Sequence, residues 1–318
     1  MTRWLARRFA ASVAIVFAVV TLTFFVIRFA PGDPFIPPAD RGISPERRQI
    51  LEEHWGTNKP LVVQYGRFLS ALLHADLGES FRYLRPVSEL LGAAIPNTLL
   101  LAGAGLLLDF LLGIAIGVYQ AMRARSSTDV ALGAGTLFLA SVPTFWLGMV
   151  LIVVFSQWLH WFPAGGSRSP IQSSLLDRAW HLVLPALTLG VVGASTTARY
   201  QRAAALDAKA HDYVRTARAK GLADRDVMTH HVLRNALLPT VTLFGMAFPF
   251  LLTGAVFIEV VFAWPGMGRL AADAILQRDY PVVSGTMLVA SIMVVVGSLL
   301  ADLLAAVVDP RVRAWETA

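Results

Sequence analysis

Ionisable side chains are rare inside the long apolar stretches of this 318-residue sequence. Asp109 lies within the stretch 106–112, Glu259 precedes a Trp-Pro-Gly turn, and Asp302 lies near the end of the last stretch. Arg199 marks the end of its own stretch. A charge in a bilayer costs several kcal/mol, so such residues are candidates for gating, pairing or substrate contact. The gate or packing candidates are Asp109, Glu259, Trp264, Pro265, Gly266 and Asp302.

Other familiar chemistry has no support in the sequence. There is no cysteine, which excludes disulfides and thiolate chemistry. His230 and His231 are adjacent and would point to different faces of a helix, which is the wrong spacing for joint metal ligation. No G-x-x-x-x-G-K-[ST] phosphate loop occurs, nor any G-x-S-x-G or H-E-x-x-H motif. We therefore predict no catalytic residue, no metal site and no ATPase on this chain.

The composition is typical of a membrane protein. Hydrophobic residues make up 56% of the sequence and charged residues 15%, whereas a soluble domain is about a quarter charged. Crossing a bilayer core takes about 20 helical residues. The first apolar run is longer than that of a typical signal peptide and no clean cleavage motif follows, so we predict an uncleaved span. An all-α protein with six transmembrane helices is predicted, over 9–29, 98–121, 130–159, 181–198, 237–262 and 284–308.

The loops differ in charge, although the net charge of the chain is only +6. Arginines and lysines cluster in the N-terminal tail, the 121–129 loop, the 199–234 loop and the C-terminal tail. These four segments fall on one side of a six-span arrangement, so the positive-inside rule predicts that both termini are cytoplasmic. The predicted organisation is a tail and first span over 1–30, an extracytoplasmic cap over 31–95, a five-helix core over 96–310 containing the 199–234 loop, and a cytoplasmic tail over 311–318.

The 199–234 loop has the pattern of two helices joined by a glycine. Residues 203–219 are rich in alanine, lysine and arginine, which favour helix. Gly221 suits the left-handed position that ends a helix, and Asp224 could cap a second one. This charged element is too polar to enter lipid, so it is either solvated or docked on another protein. For docking, Thr216, Ala217 and Ala219 offer close approach, while Arg215, Arg218 and Lys220 supply charge.

The loop also resembles a known element. DYVRTARAKGL at 212–222, followed by HVLRNALLP at 231–239, is similar to the EAA loop of binding-protein-dependent ABC permeases. The branch it resembles most imports dipeptides, oligopeptides and nickel. Arg215-Thr216-Ala217 stands where the namesake Glu-Ala-Ala occurs, so no glutamate role can be transferred. Further motifs extend the resemblance in order along the chain, among them APGDP at 30–34, IPNTLLLA at 95–102, SVPTFWLG at 141–148, IEVVFAWPGMGRL at 258–270 and DPRVR at 309–313.

The resemblance implies a type I importer permease in the bacterial inner membrane, with no cofactor of its own. Its implied partners are a second related permease, two ATPase subunits that bind ATP and Mg, and an extracytoplasmic substrate-binding protein. The loop would be a coupling helix that contacts the ATPase through Asp212, Tyr213, Arg215, Thr216, Ala217, Arg218, Lys220 and Gly221.

Short peptides are the cargo that the resemblance favours, with nickel chelates or other small solutes as alternatives. An ion-coupled secondary transporter is a further alternative, but such proteins normally show inverted repeats, which we do not find. Within this family Asp109 could equally pair at the interface between the two permeases or contact the cargo.

Overall fold

The computed structural model describes residues 2–29, 59–170 and 174–308. These residues are almost entirely helical, which confirms the predicted all-α class for this part of the chain. π-helical turns continue α5 over Ile152–Trp158 and join α8 to α9 over Val227–Leu233. The helices are α1 (Thr2–Phe29), α2 (Leu61–Leu73), α3 (Val87–Met122), α4 (Ser127–Ser141), α5 (Thr144–Leu151), α6 (Leu175–Ala210), α7 (Asp212–Ala219), α8 (Asp224–Asp226), α9 (Arg234–Val261), α10 (Met267–Leu276) and α11 (Tyr280–Val308).

Helical residues occupy nearly all of the six predicted apolar segments. Among the described residues, four helices are long and apolar enough to cross a membrane, namely α1, α3, α6 and α11. A fifth crossing is possible if α4 and the extended α5 form one bent span. The chain therefore has the helices of a polytopic membrane protein, and the count of six spans stays a prediction.

A sharp bend divides the segment 130–159. The axes of α4 and the extended α5 differ by 104°, and Val142 between them has an extended backbone (φ −81°, ψ 129°). Pro143 explains this bend, because a proline disfavours helical geometry in the residue before it and lacks an N–H of its own. An unbroken helix, which the apolar run alone would suggest, does not form here.

The described residues divide into two compact units. The first contains Met1–Asn97 and Pro265–Val295. Asp279 of this unit is 1% exposed and lies just before α11. The carboxylate accepts hydrogen bonds from the Ser80 hydroxyl (2.5 Å) and from the backbone N–H groups of Phe81 (3.1 Å) and Arg82 (3.3 Å). The start of α11 is thereby fixed to the segment between α2 and α3.

The second unit contains Thr98–Trp264 and Val296–Ala318. Its core is formed by apolar side chains of α3, α6 and α9, including Leu101, Leu184 and Ile258. Glycines let α3 and α6 pack closely. A Cβ atom added at Gly190 would lie 2.5 Å from the Leu108 Cβ.

Gly117 marks the tightest approach to a backbone atom along the α3–α6 contact. A Cβ atom at this position would lie 2.5 Å from the Ala198 carbonyl oxygen and 2.8 Å from the Gln201 Cβ. We expect Gly117→Ala to lower the stability of the purified protein by about 1–3 kcal/mol, because the two helices must move apart. Thermal unfolding followed by tryptophan fluorescence measures the effect.

Gly103 provides a matched control on the same helix. A Cβ atom there would have no atom within 4 Å. Gly103→Ala is therefore expected to leave the unfolding temperature unchanged or to raise it slightly, since alanine favours helix over glycine by about 1 kcal/mol. Equal destabilisation by both substitutions would show that α3 and α6 do not pack in this way.

Candidate functional site

The 199–234 loop begins as a continuation of α6. This helix has 36 residues, so it is about 54 Å long at 1.5 Å per residue. The hydrocarbon core of a bilayer is only about 30 Å thick, and α6 therefore extends beyond it. The helix ends at His211, whose backbone is extended (φ −74°, ψ 150°), and α7 begins at Asp212. The predicted single helix over 203–219 is thus wrong, because it is broken at His211.

The C-terminal end of α7 agrees with the sequence prediction. Gly221 has a left-handed backbone (φ +79°), which glycine adopts without steric penalty. The prediction for Asp224 is wrong in detail. Ala223 is the residue that precedes α8, and no side chain caps it. The Asp224 carboxylate instead accepts a hydrogen bond from Nε of Arg218 (3.3 Å).

One face of α7 packs against the rest of its own unit. Val214 is 0% exposed and Ala217 is 4% exposed. The spacing of three places both side chains on one side of the helix. The surrounding cluster contains Ala121, Ala205, Ala208, Val227, Met228, Val232 and Ala236. Ala217 was predicted to give a partner room, but its side chain faces inward, where its small size lets α7 lie close to its own chain.

The opposite face of α7 is exposed and cationic. Three cationic side chains face solvent there, and two exposed carboxylates lie beside them, those of Asp212 and Asp224. The Asp212–Arg215 pair spans 3.4 Å, with side chains 93% and 79% exposed. An ion pair this exposed contributes little to stability, so the charges remain available to a partner. We call this surface the docking face; it consists of Asp212, Tyr213, Arg215, Thr216, Arg218, Ala219, Lys220 and Gly221.

Two polar contacts attach the end of α6 to the neighbouring helices. Arg202 donates to both oxygens of Asp129 in α4, through Nε (2.8 Å) and a terminal nitrogen (2.7 Å). Asp129 is 5% exposed and also accepts a hydrogen bond from the Arg125 N–H (2.9 Å). Lys209 donates to the Ala121 carbonyl (2.9 Å) in the last turn of α3. These contacts join the part of α6 that leads into α7 to α3 and α4.

The Arg202–Asp129 and Lys209–Ala121 contacts were not predicted from the sequence, and neither was the cap at the start of α4. Ser126 caps α4 by accepting a hydrogen bond from the Asp129 N–H (3.2 Å). The S-x-x-D spacing could have indicated this cap. Nothing local in the sequence indicates that Arg202, 73 residues later, pairs with the same aspartate.

Two of the ionisable residues predicted to lie within the membrane, Asp109 and Glu259, each accept a hydrogen bond from a threonine hydroxyl. Asp109 is buried and accepts a hydrogen bond from the Thr197 hydroxyl of α6 (2.6 Å). Glu259 is 0% exposed and accepts one from the Thr98 hydroxyl of α3 (2.6 Å). Asp109 and Glu259 therefore have partners within this chain. Asp302, on α11, is partly buried.

The Trp-Pro-Gly turn follows α9. Trp264 is fully buried, and its backbone N–H donates to the Glu259 backbone carbonyl (2.8 Å). In the first unit, the Pro265 carbonyl accepts a hydrogen bond from the Asn97 side chain (2.8 Å), and Gly266 precedes α10. These residues have packing roles in the structure, and a gating role stays a prediction. No group of three or more metal-ligating side chains occurs within 2–29, 59–170 and 174–308.

Long apolar helices joined by an exposed cationic loop define an integral membrane protein that presents a polar surface outside the bilayer. Family comparison gives the class more closely. Residues 113–314 match the model of the binding-protein-dependent transport system inner membrane component. Residues 1–102 match the N-terminal model of the same transport-system membrane component. The chain belongs to this family of ABC transporter permeases, and it is accordingly an inner-membrane transport component.

Curated relatives match along nearly the whole chain. The oligopeptide transport system permease protein AppB of Bacillus subtilis is 40% identical over 98% of this chain and 100% of its own length. A putative peptide transport system permease protein of Brucella abortus is 39% identical, covering 98% of this chain and 99% of its own. The di/tripeptide transport system permease protein DppB of Pseudomonas aeruginosa is 36% identical, also over 98% of this chain.

Solved structures support the fold alone. A methionine ABC transporter in an inward-facing conformation aligns with a TM-score of 0.59 and 17% identity, over 70% of this chain and 97% of that one. An amino acid ABC transporter solved with histidines aligns with a TM-score of 0.54 and 15% identity, over 69% of this chain and 94% of that one.

Proposed function

We propose that this chain is the permease subunit of a peptide importer and forms the translocation path for short peptides. The observation that carries the proposal is the full-length similarity to relatives named as oligopeptide, peptide and di/tripeptide permeases. A second related permease would complete the path, and an extracytoplasmic substrate-binding protein would deliver the cargo.

The energy would come from two separate ATPase subunits that bind ATP and Mg. The sequence of this chain supports that division, because it contains no phosphate-binding loop. The docking face would lie in a groove of one ATPase, with Arg215, Arg218 and Lys220 against acidic or carbonyl groups. Coupling then requires that this contact differs between the inward-facing and outward-facing states.

The contacts of the second unit suggest how force would travel. Val214 and Ala217 hold α7 to the buried cluster, so α7 cannot move independently of its surroundings. Arg202 and Lys209 join the adjoining end of α6 to α4 and α3. A pull on α7 would therefore shift several helices together, and it would not simply unfold the loop.

The proposed membrane topology has six spans and cytoplasmic termini. Residues 1–30 would form the first tail and span, 31–95 the extracytoplasmic cap, 96–310 the permease core and 311–318 the final tail. The long apolar helices support several crossings. The exposed cations of the 199–234 loop support a cytoplasmic position for that loop.

Reconstitution tests the proposal. The chain is co-expressed with candidate permease, ATPase and binding-protein genes from the same organism, and the purified assembly is placed in proteoliposomes. We expect ATP-dependent uptake of labelled di- and oligopeptides, and none when the ATPase subunits are omitted. Uptake without any nucleotide-hydrolysing subunit, or driven by an ion gradient, would overturn the proposed function. Uptake of nickel chelates but not of peptides would overturn the cargo assignment alone.

A further inference from the structure

An apolar groove lies within the first unit. It has a volume of about 500 Å³ and runs between α1 and the corner where α10 is followed by α11. Leu22, Val26 and Ile275 are exposed along it, at 64%, 67% and 54%. The lining residues are Val19, Leu22, Thr23, Val26, Ile27, Ile275, Arg278, Tyr280, Val283 and Met287. Seven of these ten side chains are purely aliphatic or thioether, so the groove suits a hydrocarbon occupant.

One arginine lines this apolar groove, and a second arginine directly follows a lining residue in the sequence. Arg278 lines the groove itself, and no hydrogen bond or ion pair engages its side chain within the part of the chain that the structure describes. Arg28, in the last turn of α1, follows the lining residue Ile27 and lies 5.5 Å from the Phe24 ring centroid. Arg278 therefore places a positive charge in the lining of an otherwise apolar groove.

The position of Arg278 is fixed by its neighbour. Asp279 holds the corner through its three hydrogen bonds to the segment 80–82. Arg278 itself has a left-handed backbone (φ +56°), a conformation that costs a non-glycine residue of order 1–3 kcal/mol. The fold thus holds a long cationic side chain at a position that glycine or asparagine would occupy with less strain.

We propose that this groove binds one acyl chain of an anionic phospholipid, with the lipid phosphate held by Arg278 and Arg28. Guanidinium groups bind phosphate through paired, charge-assisted hydrogen bonds, and basic pockets between membrane helices bind anionic headgroups. An apolar helix from a partner subunit would fill the groove but would leave the arginine charges without a counter-ion. Under the proposed topology the lipid belongs to the outer leaflet, although the site itself does not depend on that orientation.

Native mass spectrometry of the full chain in mild detergent tests the headgroup contact. Dioleoyl phosphatidylglycerol and dioleoyl phosphatidylethanolamine are added in turn, and we expect one molecule of the former to be retained preferentially. Arg278→Gln should weaken retention about fivefold, and Arg278→Gln with Arg28→Gln about 25-fold, since each basic residue contributes about 1 kcal/mol. Arg278→Lys should keep the preference. Arg269→Gln is the matched control, because Arg269 lies on α10 outside the groove lining.

A second variant tests the acyl-chain contact. Val26→Trp fills the groove from an exposed position and should abolish retention, with the folded state checked by gel filtration. Equal retention of the two lipids by the wild type, or retention unchanged in the double arginine variant, would overturn the proposal. Competition by soluble glycerol phosphate would point to a phosphate site without an acyl groove and would also overturn it. The proposal would likewise be overturned if the assembled transporter retained no lipid and residues of the groove cross-linked to a helix of a partner subunit.

Discussion

Charge reversal on the docking face should abolish transport while leaving the permease folded. In the assembled transporter, we expect Arg215→Glu with Arg218→Glu to lower peptide uptake and cargo-stimulated ATP hydrolysis at least about tenfold, which corresponds to about 1.4 kcal/mol. The two side chains are 79% and 48% exposed, so neither supports the interior of the permease. Losing a charged contact at an interface costs about 2–5 kcal/mol when the pair is desolvated. Uptake and hydrolysis in proteoliposomes measure the effect.

Arg225→Glu is the control for a charge reversal outside the docking face. Arg225 is also exposed, but it lies on α8 outside the docking face, and transport should continue. Val214→Asp is a contrasting variant. It should reduce the amount of folded protein, because Val214 is 0% exposed in the cluster beneath α7. If the double arginine variant assembles with the ATPases and transports normally, the docking face is not the coupling surface.

Local patterns in the sequence predicted the elements of this fold well. Apolar runs of sufficient length predicted the long helices, because a bilayer and a buried core both require them. Gly221 was assigned to a left-handed position, and its φ of +79° confirms this. These features are determined by residues that are close together in the sequence.

What the sequence did not predict depends on contacts between distant residues. The break at His211 turns α7 so that Val214 and Ala217 reach side chains from α3, α6 and α9, which no local propensity encodes. For the same reason Ala217 was assigned to the wrong face. The Arg202–Asp129 pair joins residues 73 apart, and Asp279 binds a segment almost 200 residues earlier. The arginine-lined groove depends on the corner that Asp279 fixes.

The Arg202–Asp129 pair should contribute strongly to the stability of the second unit. Arg202→Met removes two hydrogen bonds from a carboxylate that is 5% exposed. Breaking a fully buried pair costs about 3–5 kcal/mol because the remaining charge loses its partner. The Arg202 side chain is 34% exposed, so water can partly replace it and we expect a smaller loss than that. Thermal unfolding of the purified chain measures the change.

Arg199→Met is the matched control, since Arg199 lies one turn earlier on α6 and is exposed. It should leave the unfolding temperature unchanged. Adding Asp129→Asn to Arg202→Met should recover part of the loss, because a neutral amide is cheaper to bury than a carboxylate. A transport assay distinguishes a pair that transmits force from a pair that only stabilises the fold. If the α6–α4 contact carries force from α7, Arg202→Met lowers uptake per folded transporter while binding of the ATPases persists. If uptake falls only in proportion to folded protein, the pair stabilises the fold and the force takes another route.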